Sequence, residues 1–432
     1  EDHAGDRRLL VERSRAPHTG IRERTAVILR RVRADGDSAL LALARELDGV
    51  SLAALEVPRH MWRAALAELT PGLVRAMQRA ARNIRTAHEA QRPQPSEVEV
   101  EPGVIVGRRP DPLHRVGLYA PGGRAAYPSS LLMAAIPARV SRVHEIIVCS
   151  PPTPRGVPSP AVLAAAELAG VDRVFAAGGA GAIAAMAYGT TTVPRVDRIV
   201  GPGNAYVTEA KLQVASIVGI DCPAGPSELL IVADATATPD IVAREVLAQA
   251  EHDPDTAVVV VAIGSATGAA VVSAVSTLLP GATRRAIIQA ALAARGGVVT
   301  VDSLPDAIEF ANKWAPEHLL LSVADPGAAF TQVRNAGTVC LGESSSVAFG
   351  DYMTGANHVL PTGGLARSYS GLSTLDFVRW TTYQRVERGA AIRLARDVAT
   401  FADAEGLAAH AGAASHWASL AERSPSEEGG EA

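Results

Sequence analysis

From residue 116 onward, short runs rich in Val and Ile alternate with stretches whose apolar positions recur at helical spacing. The short runs predict strands at 117–119, 145–149, 173–176, 228–233, 257–263, 297–301, 319–323 and 337–341. Helical patterns lie between most of them, the signature of parallel sheets with helices on their faces. So many strands exceed one comfortable sheet. The expected fold is α/β, with two doubly wound, Rossmann-like domains.

The flanks read differently. The first ~95 residues are helical in pattern, at 21–47 and 63–92, punctuated by Pro71-Gly72. Residues 91–96 read as a linker, followed by short strands at 98–100 and 104–107. The Gly-, Ser- and Thr-rich segment 342–374 is a long loop, and such loops inside compact enzymes usually carry function. A final helical region, 381–418, forms an extended tail. Residues 423–432 are charged and Gly-rich, a composition that predicts disorder. No internal repeat is evident.

Composition narrows the picture. A chain of 432 residues suggests two domains or more. The net charge of −4 and the absence of a basic run argue against a nucleic-acid partner. Cys149, Cys222 and Cys340 are widely separated and form no CxxC pair, which fits a reducing cytoplasm rather than a disulfide framework. Residues 174–194 and 257–283 lack charge but are broken by glycines, so buried strand–turn–helix is expected and no membrane span. The charged start, Glu1-Asp2-His3, has no apolar signal core, and the missing initiator Met suggests a trimmed chain.

Six local patterns could carry chemistry. Gly179-x-Gly181-x-x-Ala184 fits a loose dinucleotide fingerprint opening a helix, with Asp197 near the distance of a ribose contact; tight strand–helix packing is the competing explanation. Gly201-Pro-Gly-Asn-Ala-Tyr206 is a Gly-rich turn with Asn204 as N-cap, serving either as a plain turn or as a ligand loop. Gln249-Ala-Glu-His252 places an amide and an imidazole on one helix face, suitable for a metal, although a surface His at a helix end explains it as well. Glu317-His318 opens a strand and could act as an acid–base pair or lie on a solvated edge. Asp351 and His358 flank Gly355 in the long loop. Glu405 and His410 are five apart, not quite one face, and by spacing alone read as solvated.

Taken together and in this order, the patterns resemble the histidinol dehydrogenase family, from about residue 22 to about residue 420. The most specific blocks are Val116-Gly-Leu-Tyr-Ala-Pro-Gly-Gly123, Val200-Gly-Pro-Gly-Asn-Ala-Tyr-Val-Thr-Glu-Ala-Lys211, Ala224-Gly-Pro-Ser-Glu228, Gln249-Ala-Glu-His252, Ala315-Pro-Glu-His-Leu319, residues 350–362 and Ser370-Gly-Leu-Ser373. The resemblance implies an NAD-dependent oxidation of L-histidinol, through the aldehyde, to L-histidine, with Zn²⁺ anchoring the substrate. It implies Zn²⁺ ligands Gln249, His252, Asp351 and His410. It implies Ser227, His358 and Glu405, together with the ligands and His318, around the substrate. Glu317 and His318 would be the catalytic pair, and Tyr119, Gly181 and Asn204 would lie at NAD.

The resemblance also implies a homodimer with shared active sites. Residues 21–117 with 227–372 would form the metal and substrate domain, and 118–226 an inserted NAD-contacting domain. Residues 1–20 would be a helical arm, and 373–432 a tail exchanged onto the partner, so that Glu405 and His410 complete the other subunit's site. One departure is Gly181, which stands where the family has a cofactor-contacting Gln; the lost hydrogen bond is worth about 1 kcal/mol. Cys222 is a tempting nucleophile, but a Glu–His route needs no thiol. The alternatives are a dehydrogenase of another small polar alcohol, a zinc hydrolase, for which no HExxH is present, and a silent metal-binding paralogue.

Overall fold

The computed structural model describes residues 13, 19–122 and 126–422. The expected arm 1–20 and the charged end 423–432 lie, but for Arg13 and residues 19–20, outside them. Two compact units result: Glu1–Arg92 with Pro112–Phe377, and Pro93–Asp111 with Val378–Ala432.

The first unit holds two five-stranded parallel sheets. The first contains β3 (Arg115–Tyr119), β4 (Glu145–Ser150), β5 (Arg173–Ala176), β6 (Arg198–Val200) and β7 (Gly219–Ile220), in spatial order β5-β4-β3-β6-β7. The second contains β8 (Glu228–Ala233), β9 (Ala257–Ile263), β10 (Gly296–Val301), β11 (His318–Ser322) and β12 (Thr338–Leu341), in order β10-β9-β8-β11-β12. The strand order reverses at β3 in one sheet and at β8 in the other, the doubly wound topology expected. Both charge-free stretches are strand–turn–helix, and among the described residues no helix is long and apolar enough to cross a membrane.

Alternate residues of each strand feed opposite faces. Val116 and Leu118 join one core with Ile146, Val148 and Val174, while Tyr119, Ile147, Cys149 and Phe175 join the other. In the second sheet Leu229 and Ile231 face away from Leu230 and Val232.

The helices of the N-terminal segment pack on the first sheet. The helices Thr19–Asp35 and Asp37–Leu47 place Leu29, Val32, Leu40 and Leu43 in one core of the first sheet. The helices Arg59–Glu68 and Pro71–Ala90 place Trp62, Met77 and Ile84 in the other. Residues 19–90 therefore share cores with the first sheet, not the second, because their apolar stripes meet its two faces.

The second unit contains β1 (Ser96–Glu101), β2 (Val104–Pro112) and β13 (Val378–Val386) in one sheet, followed by the helices Arg388–Ala404 and Ala408–Glu422. Residues 381–386 are thus strand where helix was expected, held by the pairing of β13 with β2. Strands β6 and β7 also escaped the sequence pattern, being only three and two residues long.

Candidate active site

The helix Leu304–Trp314 ends at Ala315, which sits in the left-handed region at φ 51°. That conformation is costly for a residue with a Cβ, and it turns the chain into Pro316-Glu317-His318 at the head of β11. Gly337 lies against this turn: a Cβ there would fall 2.6 Å from the Glu317 carbonyl oxygen, so glycine is required by the close approach.

Parallel pairing sets His318 opposite Leu229 of β8 and Thr338 of β12. The backbone at Glu228 then grips both members of the pair. Its N–H donates to Glu317 Oε2 at 2.7 Å, and its carbonyl lies 3.2 Å from His318 Nδ1. His318 Nδ1 is 3.5 Å from Glu317 Oε2, and its Nε2 is 3.4 Å from Asp351 Oδ1. Glu317, His318 and Asp351 are all buried. Burial opposes charge on the ring, but Glu317 and Asp351 outweigh it and push His318 up to about 10. Burial likewise works to raise Asp351, yet the His318 hydrogen bond and the nearby His318, His358 and His252 rings hold it below the usual carboxylate range.

Asp351 rides on the short helix Val347–Tyr352. The loop after it returns at Gly355, whose φ of 93° and contact with the Asn83 carbonyl leave no room for a side chain. Asn83 Nδ2 donates to the Met353 carbonyl at 2.7 Å, pinning this loop to the helix Pro71–Ala90. His358 is thereby fixed: Nδ1–H donates to the Asp351 carbonyl at 2.7 Å, leaving Nε2 to accept from Ser130 Oγ at 3.2 Å. Burial lowers the affinity of His358 for a proton. Ser130 belongs to the helix Pro128–Val140, which follows β3. The loop thus joins the strand-start edge of the second sheet to the strand-end edge of the first.

Gln249 is buried on the helix Pro239–Ala250, and its Nε2 has no hydrogen-bond partner. Nitrogen and oxygen of such an amide are interchangeable by a flip, so the orphaned end suits a carbonyl donor to a cation. His252 lies just beyond the helix, exposed, with its N–H on the Gln249 carbonyl. Among the described residues no group of three or more His, Cys, Asp or Glu side chains is placed to hold a metal ion by itself. Within one chain, Gln249, His252 and Asp351 make an amide, an imidazole and a carboxylate, a donor set consistent with Zn²⁺ that still calls for a further ligand. Glu405 and His410 belong to the second unit and are exposed on it. Ser227 is half-buried one residue before Glu228.

Tyr119, the Gly178–Gly181 turn and Asn204 meet at the ends of β3, β5 and β6. Tyr119 Oη accepts from the Gly179 N–H at 3.0 Å, and burial raises the phenol to about 12. Gly201, at φ 124°, lies so close to the Tyr119 carbonyl that a Cβ would stand 2.2 Å from it. Asn204 caps the helix Ala205–Val214, accepting from Tyr206 and Val207. Gly181 is buried, and a Cβ there would meet Leu43 at 2.9 Å. It has only its backbone to offer a cofactor.

Asp197 requires correction. It precedes β6 and accepts from the Arg115 N–H at the start of β3, whereas the Gly178–Gly181 turn follows β5. In a parallel sheet those are opposite edges, so Asp197 cannot serve a ribose at that turn.

Several buried charges carry little local signal in the sequence, Glu228, Lys211 and Asp221 among them. The Glu228 side chain accepts from the Gly363 N–H at 2.8 Å and pairs with Arg13 at 3.4 Å; burial pushes it up to about 7. Its only sequence signal is a carboxylate heading an otherwise apolar strand. Lys211 and Asp221 form a buried ion pair that clasps Gly201 through its carbonyl and N–H. Cys222 beside them is pushed up to about 12 by burial and the Asp221 charge, so its thiol stays protonated and unreactive.

Known proteins resemble this chain along nearly its whole length. The family model described as histidinol dehydrogenase matches residues 11–416. The chain belongs to the histidinol dehydrogenase family. Histidinol dehydrogenase of Halobacterium salinarum is 48% identical over 411 residues, covering 95% of this chain and 96% of its own. That of Methanosarcina barkeri is 46% identical over 389 residues, covering 90% of each chain. The crystal structure of histidinol dehydrogenase from Elizabethkingia anophelis superposes with a TM-score of 0.94 at 34% identity, covering 98% of this chain and 97% of its own. The family is one of oxidoreductases.

Proposed function

We propose that this chain oxidises L-histidinol through L-histidinaldehyde to L-histidine, the last step of histidine biosynthesis, with NAD⁺ as acceptor and Zn²⁺ as substrate anchor. The observation that carries the proposal is the buried Glu317–His318–Asp351 chain at the joint between the two sheets.

Gln249, His252 and Asp351, with His410 of the partner subunit, would hold the metal. Zn²⁺ when bound supplies a fixed point for the substrate's imidazole and amino nitrogens. NAD⁺ would lie along Tyr119, the backbone at Gly181 and Asn204, and it supplies a hydride acceptor for each oxidation. His318 takes the alcohol proton in the first oxidation. With Asp351 committed to a cation, one of the two carboxylates that keep the ring protonated is withdrawn, which brings His318 toward the range a base needs. Glu317 takes a proton from the water that adds to the aldehyde. Ser227, His358 and Glu405 line the substrate. Residues 373–432 are proposed to cross to a dimer partner, and 118–226 to contact NAD⁺. The cytoplasm is the proposed location.

The test is NADH absorbance with L-histidinol and NAD⁺. Two NADH per histidinol, lost on chelation and restored by Zn²⁺, are expected. No NADH from zinc-loaded protein would overturn the assignment in favour of another small alcohol.

A pH signature accompanies this. Proton binding to His318 stabilises the fold, because its folded value, about 10, exceeds the ordinary 6.5. In metal-free protein that contribution is complete below 6.5 and is lost as pH rises through about 10. Unfolding free energy should therefore fall across that window, with a limiting slope of about 1.4 kcal/mol per pH unit. His318→Asn should remove that part of the slope in urea titrations; an unchanged slope would refute the coupling.

A further inference from the structure

The helix Pro239–Ala250 carries another buried side chain with no role so far. Glu245 Oε2 accepts a hydrogen bond from the Val347 N–H at 3.1 Å, and both residues are buried. A carboxylate taken out of water is strongly penalised unless it is held by hydrogen bonds or charge. Val347 is the first residue of the helix Val347–Tyr352, and Ser346 before it makes no side-chain cap. Glu245 supplies from another element the acceptor that a local N-cap would have provided, and its charge faces the positive end of the peptide dipoles.

The position of this bond is what matters. Gln249 lies four residues beyond Glu245, on the same helix face, and Asp351 lies four residues beyond Val347. One hydrogen bond therefore ties together the two elements that carry Gln249 and Asp351, one helical turn away from each. A six-residue helix has little stability of its own, so its placement depends on such ties.

We propose that Glu245 is a positioning residue for the metal site, a strut that fixes the Asp351 helix relative to Gln249 and His252. This rests on the assignment of those three residues as ligands. Glu245 itself touches neither metal nor substrate.

The experiment compares Zn²⁺ affinity of wild-type, Glu245→Gln and Glu245→Leu proteins by competition with a chromophoric chelator, alongside thermal unfolding of each metal-free form. Gln retains an acceptor oxygen and should stay close to wild type. Leu removes it and should weaken Zn²⁺ binding by about 10–100-fold. If Glu245→Leu fails to fold, Val347→Pro removes the donor instead, at a helix position where proline is well tolerated, and should weaken binding similarly. Folded Leu and Pro variants with wild-type affinity, whatever their melting temperatures, would overturn the strut alone. A wild-type protein with no measurable Zn²⁺ affinity would overturn the ligand assignment, and the strut with it.

Discussion

Glu317→Gln is expected to slow the formation of histidine from L-histidinol by about 10²–10⁴-fold, the range general-base catalysis contributes. The substitution is nearly isosteric. The Gln carbonyl oxygen can still accept the Glu228 N–H that now meets Glu317 Oε2 at 2.7 Å. The head of β11 should keep its place, and only the basicity is lost. Histidinol affinity should stay near wild type, since Glu317 is not among the residues proposed to hold the substrate. If Glu317 serves the water step alone, the first oxidation survives. Stopped-flow measurements should then show one NADH formed, with the aldehyde retained. His318→Asn should slow the first hydride transfer itself. A Glu317→Gln enzyme that releases histidine at the wild-type rate would remove Glu317 from the chemistry.

How far the site could be read in the sequence follows from its geometry. The long strands of both sheets were legible because Val, Ile and Leu fill most positions of a strand buried on both faces, as in Glu228–Ala233 and Ala257–Ile263. Strand β6, of three residues, offers too little pattern, and β13 was hidden by the helical periodicity that follows it. Glu317-His318 looked like an ordinary strand edge. Its environment is made by residues some 90 positions away, through the parallel register of β11 on β8, and no local spacing encodes that. Glu228 and Glu245 escaped for the same reason: their hydrogen bonds run to Gly363 and Val347, within the segment 342–374 far along the chain. At Glu405 and His410, which are exposed in their own unit, spacing gives no signal, and the roles proposed for them rest on the resemblance alone.

That exposure sets up the sharpest test of the proposed shared site. His410→Asn and Glu317→Gln homodimers should each have little activity. Co-expressed with different tags, and purified as a random mixture, they should recover about a quarter of wild-type activity if each site joins the core of one subunit to the tail of the other. Half of the dimers would be mixed. In each of these, one site would combine both lesions, while the other would pair an intact Glu317 with an intact His410. If His410 instead served its own chain, every site in every dimer would carry one lesion, and mixing would restore nothing. Recovery in the doubly tagged fraction should reach about half of wild type, because that fraction contains only mixed dimers. The measurement thus separates an exchanged tail from a self-contained one, given that each homodimer alone forms little histidine.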